Sequence, residues 1–115
     1  GTRIWLEGAL QEQGIQASHV QGFGRTVKTH LEVAAAVAQG DADVGVGVLA
    51  AARSYDLHFI PLFSERFDLV FPAQALSEEL FRPLFDRIND KAFRQQISPL
   101  GGYDLVDTGT VNEVA

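Results

Sequence analysis

The residues best suited to chemistry stand where helices are expected to begin. Gly45 and Gly47 close a short apolar run, and a helix is expected to follow directly. The first amides of a helix have no partner inside it, and they favour negative charge. Glycines at that point remove the side chains that would keep a ligand from those amides. Two further helix starts carry polar side chains. Thr2 and Arg3 place a hydroxyl and a guanidinium on one first turn, and Thr29 and His30 place a hydroxyl and an imidazole on another. Amides, hydroxyls and one guanidinium together suit a small oxyanion.

Each feature also has a purely structural reading. The stretch Thr29-His30-Leu31-Glu32 matches a capping box, in which Thr29 accepts from the Glu32 amide and Glu32 reaches back. Capping alone explains Thr29. Gly45 and Gly47 could serve only close packing, His30 could be a surface residue, and Arg3 a solvated one. Acid–base chemistry has its own candidates in His19, His30 and His58 with Asp41, Asp43 and Asp68. No triad spacing, HExxH run or phosphate-loop pattern joins them.

The elements needed to position these residues follow from periodicity and punctuation. Residues 2–13 read as a helix with Thr2 as N-cap and Gly14 as its stop. Residues 18–21 read as a short strand. Thr29 opens a second helix that Gly40 ends. Residues 42–45 read as a buried strand, and residues 48–54 as a third helix. Residues 57–62 and 66–71 read as strands, the second because Phe67, Leu69 and Phe71 alternate with Arg66, Asp68 and Val70. A helical turn at 77–81, a helix at 83–88 led by Pro83, and a helix at 91–97 capped by Asp90 complete the series. Helices alternating with strands predict an α/β layer with a partly parallel sheet.

Composition narrows the function. The chain has 115 residues, 46% hydrophobic and 21% charged, which suits one small domain or part of a larger one. Its net charge of −6 argues against broad binding to nucleic acid or anionic membranes, which needs excess Lys and Arg. It leaves room for a small anion, because the field at a site is local. There is no cysteine, so disulfides, thiolate metal sites and cysteine catalysis are absent. The opening GTRIWLEGAL has no signal-peptide pattern, which points to the cytoplasm.

Three stretches carry a family resemblance: GTR at the start, THLEVAAAVAQGDADVGVGVLAAARSYDLHFIPLFSERFDLVFP, and LGGYDLVDTG. Over residues 1 to about 109 the chain resembles the cytoplasmic periplasmic-binding-protein-like domain. That domain is found in molybdopterin biosynthesis proteins and beside helix-turn-helix domains of regulators. More distantly the chain is similar to molybdate- and tungstate-binding proteins. The resemblance implies a type II periplasmic-binding-protein-like α/β lobe with return helices, and a first lobe largely missing. Residues 1–64 would form the second-lobe-like unit, and residues 65–115 a crossover strand, helices and tail. It also implies Thr2 and Arg3 as the leading ligand contacts, then Thr29 and His30, then the Gly47–Val48 backbone. Tyr103 and Asp104 match the closing motif without an assigned role.

On this reading the chain is a ligand-binding sensor or regulatory domain without catalysis of its own, although its parent could be a biosynthetic enzyme. The ligand would be a small anion (molybdate, tungstate, sulfate or phosphate) or a molybdopterin-related compound, with no cofactor or metal. The domain would be linked to an upstream domain and would not itself touch nucleic acid or membrane. The competing expectation is an interaction or oligomerisation module without a small ligand. It rests on apolar surface expected at Phe81, Leu84, Phe85 and Phe93.

Overall fold

The computed structural model describes residues 1–114, which fall into two units, Gly1–Phe59 and the chain from Ile60 onward. The first unit holds α1 (Thr2–Glu12), α2 (His30–Ala38) and α3 (Leu49–Ser54), with a 3₁₀ turn at Ala17–His19. The second holds α4 (Arg82–Asn89) and α5 (Lys91–Ile97), with 3₁₀ turns at Ala73–Ser77, Glu79–Phe81 and Ser98–Leu100.

The punctuation of the helices follows the sequence. In α2 the Thr29 hydroxyl accepts from the Glu32 amide at 3.1 Å, and Glu32 Oε2 accepts from the Thr29 amide at 3.0 Å. The capping box is therefore complete. Gly14 and Gly40, with φ of 70° and 82°, follow the ends of α1 and α2 and adopt the left-handed conformation that glycine tolerates best. Asp90 caps α5 by accepting from the Ala92 amide at 3.0 Å. At α1 the cap differs from expectation. Gly1 occupies the N-cap position, and Thr2 lies inside the helix without a capping bond.

The α/β expectation is overturned. Among the described residues there is no strand and no sheet, only helices, turns and irregular segments. A strand needs a neighbour to complete its ladder of hydrogen bonds, and alternation along the chain supplies a face but no neighbour. Residues 18–21 finish a 3₁₀ turn and enter another turn. Residues 41 and 42 turn back on α2, where their amides both donate to the Ala36 carbonyl, at 2.9 and 3.3 Å. That satisfies the end of the helix locally and leaves 42–45 as a connecting loop. Residues 57–62 and 66–71 lie in irregular chain, and every residue from His58 to Val70 is exposed.

In the first unit α2 packs against α3 through small side chains, with Ala34, Ala51 and Ala52 buried. In the second, α4 packs against α5 and the turns before it. Ala75 is buried there, and the Phe85 ring meets Phe71 at 5.1 Å and Phe81 at 6.5 Å between centroids. The apolar face expected to be open is thus partly covered. Phe81, Phe85 and Phe93 are half-buried, and of the four only Leu84 is exposed. The tail segment is tied back by Arg94 Nη2, which donates to the Thr108 carbonyl at 2.8 Å.

Candidate functional site

A recess of about 120 Å³ lies within the first unit, between α2 and α3 and the chain that joins and follows them. Val33, Val37 and Ala34 of α2 form one wall, and Ala51 and Ala52 of α3 another. His30, Asp43 and His58 supply its ionisable groups, and Gly47 and Val48 its backbone rim. The capping box fixes the entry of the chain into α2 and so sets His30 on the first turn. Gly47 lies close by, since a Cβ built on it would stand 3.6 Å from His30 Nδ1. Val48 precedes α3 in extended conformation and offers no side-chain cap to the helix amides.

The two glycines have different tasks. At Gly45 a built Cβ would run into the Cγ1 methyl of Val33, so the missing side chain lets the loop lie against α2. At Gly47 the same atom would meet only ordinary contact with His30. Gly45 therefore serves packing, and Gly47 keeps the rim beside the imidazole low.

Of the residues expected to bind, the structure brings His30, Gly47 and Val48 to this recess. Thr29 stands one residue before it, with its hydroxyl committed to the cap. Glu32 brings its own negative charge to the same helix end, where it accepts from the Lys28 amide at 2.7 Å as well as from Thr29. Thr2 and Arg3 do not line the recess. Arg3 is engaged near α1: it pairs with Glu7 at 3.3 Å, donates to the Phe23 carbonyl at 3.1 Å, and covers the Phe23 ring at 4.4 Å. Its guanidinium thus fastens the loop after α1.

His58 and Asp43 enter the site although the ligand reading passed over them. Sequence reasoning weighed both only for acid–base work, and nothing in their local spacing marks a shared recess. A second hollow of about 530 Å³ opens along α1 at Glu7, Gln11, Gly14, Ile15, Gln16 and Ala17. Its one charged group, Glu7, is the partner of Arg3, so it offers little to hold an ion. Among the described residues no three His, Cys, Asp or Glu side chains gather as metal ligands. No helix among them is long and apolar enough to cross a membrane.

The model for a PBP superfamily domain matches residues 1–89. A protein from the 5′ region of the ferredoxin 2Fe-2S gene of Clostridium pasteurianum is 35% identical over 109 residues, covering 94% of this chain and 96% of that protein. The protein YvgK of Bacillus subtilis (strain 168) is 32% identical over 111 residues, covering 96% of this chain but only 35% of YvgK. The chain thus spans nearly all of one relative and about a third of the other, and neither name states a ligand or an activity. No solved structure matches the chain significantly.

Proposed function

We propose that this chain, which belongs to the PBP superfamily, binds a small oxyanion in the recess between α2 and α3, without turnover. The observation that carries this reading is the convergence of His30 and His58 with the Gly47–Val48 backbone in one recess. An imidazole N–H can donate a hydrogen bond to an oxyanion.

Size chooses among the ligands. Pockets for drug-sized molecules enclose roughly 300–1,000 Å³, whereas liquid water takes about 30 Å³ per molecule. A recess of about 120 Å³ suits molybdate, tungstate, sulfate or phosphate better than a pterin. Asp43 lines the same recess and opposes an anion there, so His30 and His58 must outweigh one carboxylate. As a sensor, the domain would signal through any difference in affinity between two arrangements of the α2–α3 pair and the loop between them.

The test is titration with each oxyanion, followed by thermal melting and by the side-chain resonances of His30 and His58. Saturation at a hundred times Kd adds about 2.7 kcal/mol and moves both imidazoles. If melting and both imidazole signals stay unchanged with all four anions, the reading is wrong.

A further inference from the structure

We propose that residues 60–70 are a site of endoproteolytic cleavage, at which a peptidase that holds its substrate extended divides the chain. One piece would carry the recess and the other α4 and α5. Such a peptidase pairs with its substrate's backbone as an added strand pairs with a sheet. It therefore needs several consecutive residues whose amides and carbonyls are not committed elsewhere. Exposed chain without internal hydrogen bonds reaches that form at little cost, whereas a turn or a helix must first open.

Residues 60–70 meet the requirement. Every residue from His58 to Val70 is exposed, and none lies in a helix or strand. The Leu57 amide donates to the Ala52 carbonyl, and the Ala75 amide to that of Pro72. Between these two bonds, Phe63 set aside, no backbone-to-backbone hydrogen bond is seen among the described residues. Arg66 pairs with Asp68 at 3.1 Å and Asp107 at 3.6 Å, but exposed pairs hold the chain only weakly. A cut here falls between α3 and the 3₁₀ turn at Ala73–Ser77, so it breaks no helix. The residues that line the recess all lie at or before Phe59 and stay on one piece.

The rival site is the connection between α1 and α2, which is also largely exposed and carries Arg25 and Lys28. It is folded into successive turns. The amides of His19, Val20, Phe23 and Arg25 donate to the carbonyls of Gln16, Ala17, Val20 and Gly22. The Arg25 guanidinium donates to the Asp41 carbonyl at 3.1 Å, and the Lys28 amide to Glu32 at 2.7 Å. Several of these bonds must break before that stretch can lie extended. The reaction itself is hydrolysis: water adds across one peptide bond, leaving a carboxylate on one piece and an amine on the other.

Brief digestion of the full chain with trypsin, and separately with chymotrypsin, decides the matter, with the products read by mass spectrometry. The first cuts are expected after Arg66 with trypsin and after Phe63 or Phe67 with chymotrypsin, about tenfold or more ahead of any other bond. Arg66 is the one basic residue of the segment. In Arg66→Gln the first tryptic cut should therefore come roughly tenfold later, while chymotrypsin keeps its rate. A first cut by either enzyme between α1 and α2, or inside a helix, overturns the proposal. So does an Arg66→Gln chain that trypsin cuts as fast as the wild type, and so does a segment that outlasts α2.

Discussion

Replacing Gly45 by alanine tests the packing of the recess wall directly. The added Cβ falls on Val33 Cγ1 of α2, and no other neighbour comes closer than 3.7 Å. Valine is stiff at χ1, so its methyl cannot rotate away without leaving its preferred rotamer. Overpacking of this kind typically costs about 1–3 kcal/mol. Against it stands a gain of ~0.4–1 kcal/mol, because alanine restricts the unfolded chain and Gly45 needs no left-handed conformation. Val33 is only half-buried and can yield a little, so the lower end applies and the net loss is about 1 kcal/mol. In a unit this small that lowers the melting temperature by roughly 4–8 °C. Thermal melting by circular dichroism reads it. Two companions sharpen the result. Gly47→Ala has no clash to meet and should hold or gain stability. Gly45→Ala combined with Val33→Ala should show a favourable coupling above about 0.5 kcal/mol, since the clash is gone. If Gly45→Ala stabilises the chain as Gly47→Ala does, the loop does not lie on α2 as described.

Other expectations can be checked with the same protein. Thr29→Ala removes the capping hydroxyl and should cost about 1 kcal/mol by thermal melting. Glu32→Gln keeps an acceptor for the Lys28 and Thr29 amides but removes the charge, so oxyanion affinity by calorimetry should rise several-fold. Gly109→Ala forces a side chain into the left-handed region and against the Asn89 side chain, and should speed amide exchange around Thr108 and Thr110. Raising salt to molar concentration should move the melting temperature little, because the side chains of the five ion pairs seen among the described residues are all 46% exposed or more.

The legible part of the sequence is local. Thr29 with Glu32, Asp90, Gly14 and Gly40 act within a few residues of themselves, and the structure uses each as its type predicts. The strands were not legible because a strand is defined by a partner distant in sequence. Phe67, Leu69 and Phe71 alternate correctly, yet no ladder partner lies beside them among the described residues. The site divides along the same line. His30 was placed by its cap, but His58 reaches the same recess from 28 positions further along the chain, through the packing of α2 on α3. Arg3 was read as a ligand contact from its place on the first turn. Its contacts with Phe23, 20 residues away, depend on a turn whose course no local pattern reveals.

The carboxylate of Glu32 also makes the start of α2 a tethered competitor for any ligand. It is held on the Lys28 and Thr29 amides by the same chain, so its effective concentration there is of millimolar order or higher. A singly charged anion offers those amides nothing that Glu32 does not already give them. A doubly charged oxyanion binding at His30 must either tolerate this neighbour or draw Glu32 away. Drawing it away would unfasten the first turn of α2. Occupancy would then be read out as a fraying helix end, and discrimination would rest on ligand charge as much as on ligand shape.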